Sequence, residues 1–160
     1  MSLKKHEYTA CIEWTGNTGE GTRTYKSYER SWQLCTQNKP VVACSNDPVL
    51  GGDPGKHNPE DMLVASVASC HMLWYLHLCS VAGIGVISYQ DNPLAIGEMQ
   101  PSGAGRFVSI TLRPIITITR VSDQTKAVSI HDDIHEYCFI ARSINFPVNI
   151  EANVVLGRSS

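Results

Sequence analysis

Six cysteines are the residues of this 160-residue chain best suited to chemistry. A thiolate is a nucleophile, and once oxidised to a sulfenic acid it condenses with a second thiol to a disulfide. No CxxC spacing occurs, which excludes a zinc ribbon or a thioredoxin-type motif. The start of the chain shows no secretory signal, so we expect mostly reduced thiols in the cytoplasm. The cysteines are Cys11, Cys35, Cys44, Cys70, Cys79 and Cys138.

Two of these cysteines lie in segments with helical spacing. Cys70 lies in the middle of an apolar stripe, and Cys138 follows His131 and His135 at i, i+4 and i+7 in "HDDIHEYC". A lone buried cysteine is usually a small core hydrophobe. Two helices that cover one sheet could nevertheless bring Cys70 and Cys138 together. From the residues alone both interpretations stay open.

The two helices have recognisable ends. Asn58 suits the N-cap and Pro59 the first position of a helix that we expect to run to Ala82, with Gly83 as its stop. The second predicted helix begins after Ser122 and Asp123 and runs through "QTKAVSIHDDIHEYCFIARSI" to Ile144, with Pro147 beyond its end.

The rest of the chain reads as strands and turns. Residues 7–14 alternate and predict a half-buried strand, and "VNIEANVVL" predicts a closing strand. Between them lie the short strands "RSWQLCT" and "KPVVACS", and the β-rich stretches "IGVISYQD" and "RFVSITLRPIITIT", the latter broken at Pro114. Strands, helix, strands, helix and strand predict one α+β domain over residues 1–160.

Charge and hydropathy exclude two classes of partner. The net charge is −2 and the 13 lysines and arginines are scattered, which argues against a nucleic-acid surface. Residues 62–90 contain no charged side chain and are long enough to cross a bilayer. However, His71 and His77 would be costly there, and no basic flank sets an orientation. We therefore expect a core helix and no membrane.

Two stretches resemble a known family. "NPEDMLVASVASCHM" and "HEYCFIARSINFPV" are similar to the first and second cysteine motifs of the OsmC/Ohr family of organic hydroperoxide-reducing proteins. The order of elements, from "EWTGNTGEG" to the closing strand, also matches, so the resemblance covers nearly the whole chain. It implies an OsmC-like fold: antiparallel sheets wrapped around a long buried helix, with a second helix near the C-terminal end. It also implies an intertwined homodimer with active sites at the subunit interface.

The resemblance implies a cysteine-based peroxidase. Cys70 matches the peroxidatic thiolate and Cys138 the resolving thiol, which would form a disulfide after attack on an organic hydroperoxide. A dithiol reductant, typically a lipoyl protein in the family, would reset the pair. No metal or other cofactor is implied. Cys11, Cys35, Cys44 and Cys79 are expected to be structural, with Cys44 and Cys79 as alternative resolving thiols.

The family supports its thiolate with an arginine held by the glutamate of the NPE motif. Glu60 matches that glutamate, but it lies about ten residues before Cys70, roughly 15 Å along the helix. A bridging arginine or a contact across the dimer is therefore needed. Arg30 in "YERSW" is the favoured candidate and Arg23 the alternative. Many members have proline after the second cysteine, which begins a helix there, whereas this chain has Phe139.

Two further functions compete with the peroxidase. His131, His135, Cys138 and Cys70 could form a zinc set. Alternatively, the fold could bind a small acyl or aromatic ligand without turnover, in an apolar pocket near Trp32, Trp74 and Phe146. Otherwise, His71, His77 and His135 are expected to be packing or interface residues.

Overall fold

The computed structural model describes residues 4–120 and 122–157. Residues 1–3 lie outside this range, and with them the beginning of the N-terminal stretch in which we predict no secretory signal. The chain divides into two compact units, Met1–Met62 and Leu63–Ser160. Each is described below by itself, and the single domain over residues 1–160 stays a prediction.

The first unit contains a three-stranded antiparallel sheet in the order β1-β2-β3. The strands are β1 (Ile12–Trp14), β2 (Trp32–Leu34) and β3 (Val42–Cys44), which confirms the three strands predicted there. The prediction that β1 is half-buried is wrong, because Ile12 is 61% and Trp14 43% exposed. The alternation of apolar and polar residues predicts that the face with Ile12 and Trp14 packs against another layer. In the single chain this face is exposed to solvent.

The first helix, α1 (Pro59–Val81), lies where the cap signals predict it. Its start is a reciprocal cap, since the Asn58 side chain accepts from the Asp61 N–H at 2.7 Å and the Asn58 N–H donates to Asp61 at 3.4 Å. At its end Gly83 adopts a φ of 73°, and the N–H of Ile84 donates back to the Cys79 carbonyl at 2.9 Å. Glycine takes this left-handed conformation without the penalty that a Cβ would bring.

Only one face of α1 is buried in the single chain. Val67, His71, Tyr75 and Cys79 recur every four residues on that face. Leu73, by contrast, is 61% exposed, so burial on all sides is not confirmed. By length and composition alone α1 could cross a membrane. Its buried stripe carries two polar rings, however, which is typical of a core helix.

The second unit holds two mixed sheets, in the orders β4-β7-β9 and β5-β6-β8. The pairs β4–β7 and β5–β6 are antiparallel, whereas β6–β8 and β7–β9 are parallel. The strands are β4 (Val86–Gln90), β5 (Leu94–Met99), β6 (Gly105–Leu112), β7 (Ile115–Ile118), β8 (Val148–Ile150) and β9 (Asn153–Leu156).

The closing segment is two strands, so the prediction of one continuous strand is wrong. The break at Pro114 is confirmed, and it separates β6 from β7. The closing segment follows the same break: the N–H of Glu151 donates to Leu112 O, and that of Asn153 donates to Pro114 O, both at 2.8 Å. The segment β8–β9 therefore passes from one sheet to the other at the same level as the segment β6–β7 with which it pairs.

The second helix, α2 (Gln124–Tyr137), begins at the predicted cap, where Asp123 accepts from the Lys126 N–H at 2.9 Å. The predicted continuation to Ile144 is wrong, because the backbone of Cys138 is extended and ends the helix. Its buried face meets α1, β7 and β9 in the main hydrophobic core. The fully buried members of that core include Tyr75, Ile116, Ile118 and Ile134. The two helices are thus held in contact by a core that the sheet β4-β7-β9 completes.

Candidate active site

The structure brings Cys70 and Cys138 together. Their sulfur atoms lie 2.7 Å apart, although the residues are 68 positions apart in the chain. Cys70 comes from the middle of α1, and Cys138 directly follows the last residue of α2. A disulfide would need only a small further approach, to about 2.05 Å. Cys79 cannot replace Cys138, because it lies about 13 Å beyond Cys70 along the same helix.

The two thiols differ in environment. Cys138 is buried, with 1% of its surface exposed, while Cys70 is half-buried. Burial, and next the hydrogen bond that Cys138 donates to Cys70, raise the pKa of Cys138 to about 11. Cys138 is therefore a thiol at neutral pH, and its proton points at the sulfur of Cys70. Cys70 is the hydrogen-bond acceptor of the pair.

The backbone around Cys138 acts in both directions on a thiolate there. Cys138 is the C-cap of α2, and its own N–H donates to the Ile134 carbonyl. The C-terminal end of a helix carries partial negative charge, which disfavours an anion. One backbone donor offsets this in part, since the Ala141 N–H points at the Cys138 sulfur at 3.3 Å. No long helix begins at Phe139, in keeping with the missing proline; only the short 3-10 turn Ala141–Ser143 follows.

A buried histidine pair joins the two helices that carry the cysteines: His71 directly follows Cys70, and His131 lies two turns before Cys138. His71 Nε2 and His131 Nδ1 are 2.9 Å apart, and the two rings are nearly parallel, with an interplanar angle of 3° and centroids 5.2 Å apart, as expected for two rings that share an edge-to-edge hydrogen bond. Tyr75 stacks on His131 at 4.3 Å. Both histidines are 4% exposed, and burial lowers the pKa of each to about 4, with the neighbouring His131 contributing for His71. Both rings are therefore neutral at pH 7.

The zinc set is not assembled. His131 uses Nδ1 for His71, and His135 is exposed although it shares a helix with His131. In residues 4–120 and 122–157, no group of three or more histidines, cysteines and carboxylates is placed to hold a metal ion. The i, i+4, i+7 spacing was therefore misleading, because the buried face of α2 includes His131 and Ile134 but excludes His135.

The space beside Cys138 is small. A pocket of about 20 Å³ adjoins it, enough for roughly one water molecule. A bulky hydroperoxide does not fit there and would have to approach Cys70 from its exposed side. The pocket is lined by Val67, His71, His135, Cys138, Ala141, Val148 and Ile150.

The charged candidates lie in the first unit. The Arg30 guanidinium is 4.0 Å from the centre of the Tyr25 ring and 4.6 Å from that of Tyr28, and it donates to the carbonyls of both residues. Arg23 instead makes an exposed ion pair with Glu20 at 2.7 Å. Glu60 is exposed and Arg30 half-buried, and the two form no ion pair in the part of the chain that the structure describes. The predicted arginine–glutamate pairing is thus not seen in the single chain.

The aromatic residues proposed for a ligand pocket have other neighbours. The Trp32 indole N–H donates to the Ser45 carbonyl at 2.9 Å. In the second unit, Trp74 stacks on Tyr137 at 5.1 Å, and Phe146 lies 5.7 Å from Phe107. Trp74 and Phe146 pack against different hydrophobic clusters. These contacts are those of structural aromatics.

Comparison with known proteins places this geometry in context. The sequence profile described as OsmC-like protein matches residues 51–153. None of the curated proteins matches the chain.

Solved structures match nearly the whole chain. An OsmC-like protein of unknown function from Vibrio cholerae O1 biovar eltor is 26% identical with a TM-score of 0.83, over 92% of this chain and 99% of that one. An organic hydroperoxide resistance protein OsmC from Legionella pneumophila is 19% identical with a TM-score of 0.64, over 94% and 98%. An organic hydroperoxide resistance protein from Elizabethkingia anophelis is 15% identical with a TM-score of 0.66, over 96% and 100%. The fold is therefore shared with these three proteins.

Proposed function

Because the chain belongs to the OsmC-like protein family, we propose that it is a thiol-dependent peroxidase that reduces organic hydroperoxides. The observation that carries the proposal is the 2.7 Å separation of the Cys70 and Cys138 sulfurs. The names of the Legionella and Elizabethkingia relatives, both organic hydroperoxide resistance proteins, support the same chemistry at the level of the family.

The proposed reaction uses the two thiols in order. The Cys70 thiolate attacks the terminal oxygen of the hydroperoxide, the O–O bond breaks, and the leaving alkoxide takes a proton to become the alcohol. Cys70 is then a sulfenic acid. The Cys138 sulfur attacks the Cys70 sulfur, the S–S bond forms, and the hydroxyl leaves as water with the proton of Cys138. A dithiol reductant, for which a lipoyl protein is the expected type, returns both thiols and becomes a disulfide itself.

The environments of the two sulfurs support this order. Cys70 is the more exposed and accepts a hydrogen bond, whereas the raised pKa of buried Cys138 keeps it protonated until the sulfenic acid has formed. The attacking group must be the thiolate, since a thiol is a poor nucleophile. No metal or further cofactor is needed for these steps, and a cytoplasmic location would keep both thiols reduced between turnovers.

We assign support of the Cys70 thiolate to Arg30, with Glu60 as the residue that holds it. Two tyrosine rings and two carbonyls hold the Arg30 guanidinium, and among residues 4–120 and 122–157 it forms no ion pair with a carboxylate. Arg23 already has Glu20 as a partner. Arg30→Met should therefore lower kcat/KM at least about tenfold, while Arg23→Met should leave it within about twofold. Equal effects of the two substitutions would contradict the assignment.

The proposal includes a homodimer. Large apolar side chains near the cysteines are exposed in the single chain: Leu73 is 61%, Tyr137 47% and Phe139 63% exposed. A second copy that covers them would remove this surface from water and narrow the approach to Cys70. Sedimentation equilibrium of the full chain tests this, and a monomer at micromolar concentration would contradict it.

The decisive experiment counts thiols before and after one equivalent of cumene hydroperoxide. In wild type, Cys70 and Cys138 should both be lost and recovered in one disulfide-linked peptide. Cys138→Ser should stop at a sulfenic acid on Cys70 that dimedone traps, and Cys70→Ser should consume no peroxide through Cys138. Cys79→Ser is the matched control, because Cys79 is a buried cysteine of the same helix and should leave turnover unchanged.

Two results would overturn the peroxidase. If Cys70 and Cys138 stay reduced in wild type, the fold has kept the thiols without the chemistry, and a ligand-binding protein without turnover becomes the better hypothesis. Equal rates with hydrogen peroxide and cumene hydroperoxide would contradict the preference for bulky organic substrates that the apolar surroundings of Cys70 predict.

A further inference from the structure

A second pair of cysteines is in contact in the first unit. The sulfur atoms of Cys11 and Cys35 lie 2.7 Å apart, the same separation as in the Cys70–Cys138 pair. Cys11 is exposed and Cys35 half-buried. The sequence predicts a structural part for both residues, and the fold instead places two thiols together at the surface.

The sheet register accounts for the contact. Cys11 directly precedes β1 and Cys35 directly follows β2, and the next pair along the ladder is Ile12 opposite Leu34. The Cys35 N–H donates to the Cys11 carbonyl at 2.9 Å, which makes the cysteines a hydrogen-bonded cross-strand pair. Such pairs have Cα atoms about 5.5 Å apart, within the range of about 4.4–6.8 Å found for disulfides. A disulfide can therefore close without movement of the strands.

The two thiols are not equivalent. Cys35 donates its proton to the Cys11 sulfur, and this hydrogen bond is the main cause that raises the pKa of Cys35. Cys11 accepts this hydrogen bond and is the more exposed of the two sulfurs. We therefore expect Cys11 to be the first to attack a dissolved disulfide. Cys35 is then in place to attack Cys11.

We propose that Cys11 and Cys35 form a second redox site, a surface dithiol that exchanges with small soluble disulfides such as glutathione disulfide. The Cys11 thiolate attacks one sulfur of glutathione disulfide, and one glutathione thiolate leaves. Cys35 loses its proton and attacks Cys11, the protein S–S bond forms, and the second glutathione leaves. The protein gives up two electrons and two protons, and one glutathione disulfide becomes two glutathione thiols.

Closing this bond has a structural consequence within the first unit. The disulfide joins the two ends of the segment 12–34, which includes the glycine-rich turn and Arg23, Lys26 and Arg30. Separation of the two ends of this segment then requires reduction, whereas in the dithiol form non-covalent contacts hold them, mainly the pairing of β1 with β2 and the hydrogen bonds that continue it from Thr15 to Ser31 and from Glu29 to Gly16. The pair is thus a reversible covalent clamp on that segment.

The test equilibrates the full chain with glutathione disulfide and blocks the remaining thiols by alkylation. Wild type and a Cys70→Ser/Cys138→Ser variant should both lose Cys11 and Cys35 to one disulfide, located by mass spectrometry of the proteolytic peptides. Buried Cys44 of the same unit is the internal control and should stay reduced. Cys35→Ser should stop at a glutathione adduct on Cys11.

A second readout needs no peptide assignment. Trypsin cleaves after Arg23 and Lys26, inside the clamped segment, and the resulting fragments should stay joined on a non-reducing gel and separate on a reducing one. The proposal is overturned if both thiols remain free in wild type, or if each carries its own glutathione. It does not depend on the peroxidase, because the variant without Cys70 and Cys138 should give the same result.

Discussion

Acidification should destabilise this protein, because His71 and His131 are buried as neutral rings. Burial lowers the pKa of both from an ordinary value of 6.5 to about 4. Between these two pH values both histidines are protonated in the unfolded chain but remain neutral in the folded chain. The contribution of the two histidines to the free energy of unfolding is therefore fully present above about pH 6.5 and is lost progressively as the pH decreases towards about 4.

The size of the effect follows from those pKa values. At about pH 5 an imidazole with a pKa of 6.5 is almost fully protonated when unfolded, while one with a pKa of about 4 is largely neutral when folded. The difference is about 2 kcal/mol for each histidine, or roughly 4 kcal/mol for the pair. This is a large part of the roughly 5–15 kcal/mol typical of a folded protein. Asp91, whose pKa is raised by burial, contributes with the opposite sign.

Urea unfolding at about pH 7.5 and pH 5, at one protein concentration, measures this difference. The test variant is His71→Gln/His131→Asn, which places an amide nitrogen of one side chain and the amide oxygen of the other where Nε2 and Nδ1 now meet. Its loss of stability between the two pH values should be smaller than that of wild type by about 4 kcal/mol. His77→Asn, an exposed histidine of α1, is the control and should behave as wild type. An unchanged pH dependence in the test variant would refute the argument.

Two further predictions concern the helix ends that position the cysteines. Asp123→Ala removes the side-chain acceptor of the Lys126 N–H at the start of α2, and should lower the free energy of unfolding by about 1 kcal/mol in a urea titration. Gly83→Ala should cost about 1 kcal/mol by the same measurement, because Gly83 has a φ of 73° but open space around its Cβ position, so only the backbone conformation opposes alanine. If Gly83→Ala leaves the free energy of unfolding unchanged, the backbone at the end of α1 adopts another conformation at no cost, which would contradict this argument.

Features carried by a few adjacent residues could be predicted from the sequence. The cap at Asn58, the stop at Gly83 and the cap at Asp123 each use hydrogen bonds to residues within five positions, so both ends of α1 and the start of α2 agree with the prediction to about one residue. The end of α2 does not, because it lies at Tyr137 and the prediction carried the helix on to Ile144. The break at Pro114 is also local, because proline lacks the N–H that a strand needs.

Features that depend on which surfaces meet could not be predicted in this way. The sequence pattern placed Cys70 in the middle of the apolar stripe of α1, whereas the stripe that is buried consists of Val67, His71, Tyr75 and Cys79. A helix that is apolar on nearly every side offers several stripes of equal merit, and only packing against α2 and the sheet selects one.

The same distinction between local and tertiary features applies to the candidate site. Residue types and spacing, with the family resemblance, were enough to select Cys70 and Cys138 as the thiols to examine, because nucleophilic residues and motifs are properties of the chain itself. The histidine pair and the Cys11–Cys35 contact became visible only in the fold, because each joins residues distant in sequence through helix packing or strand register. The protonation states follow from the fold as well, since burial shifts the pKa values of Cys138, His71 and His131, and burial is a property of the packed molecule.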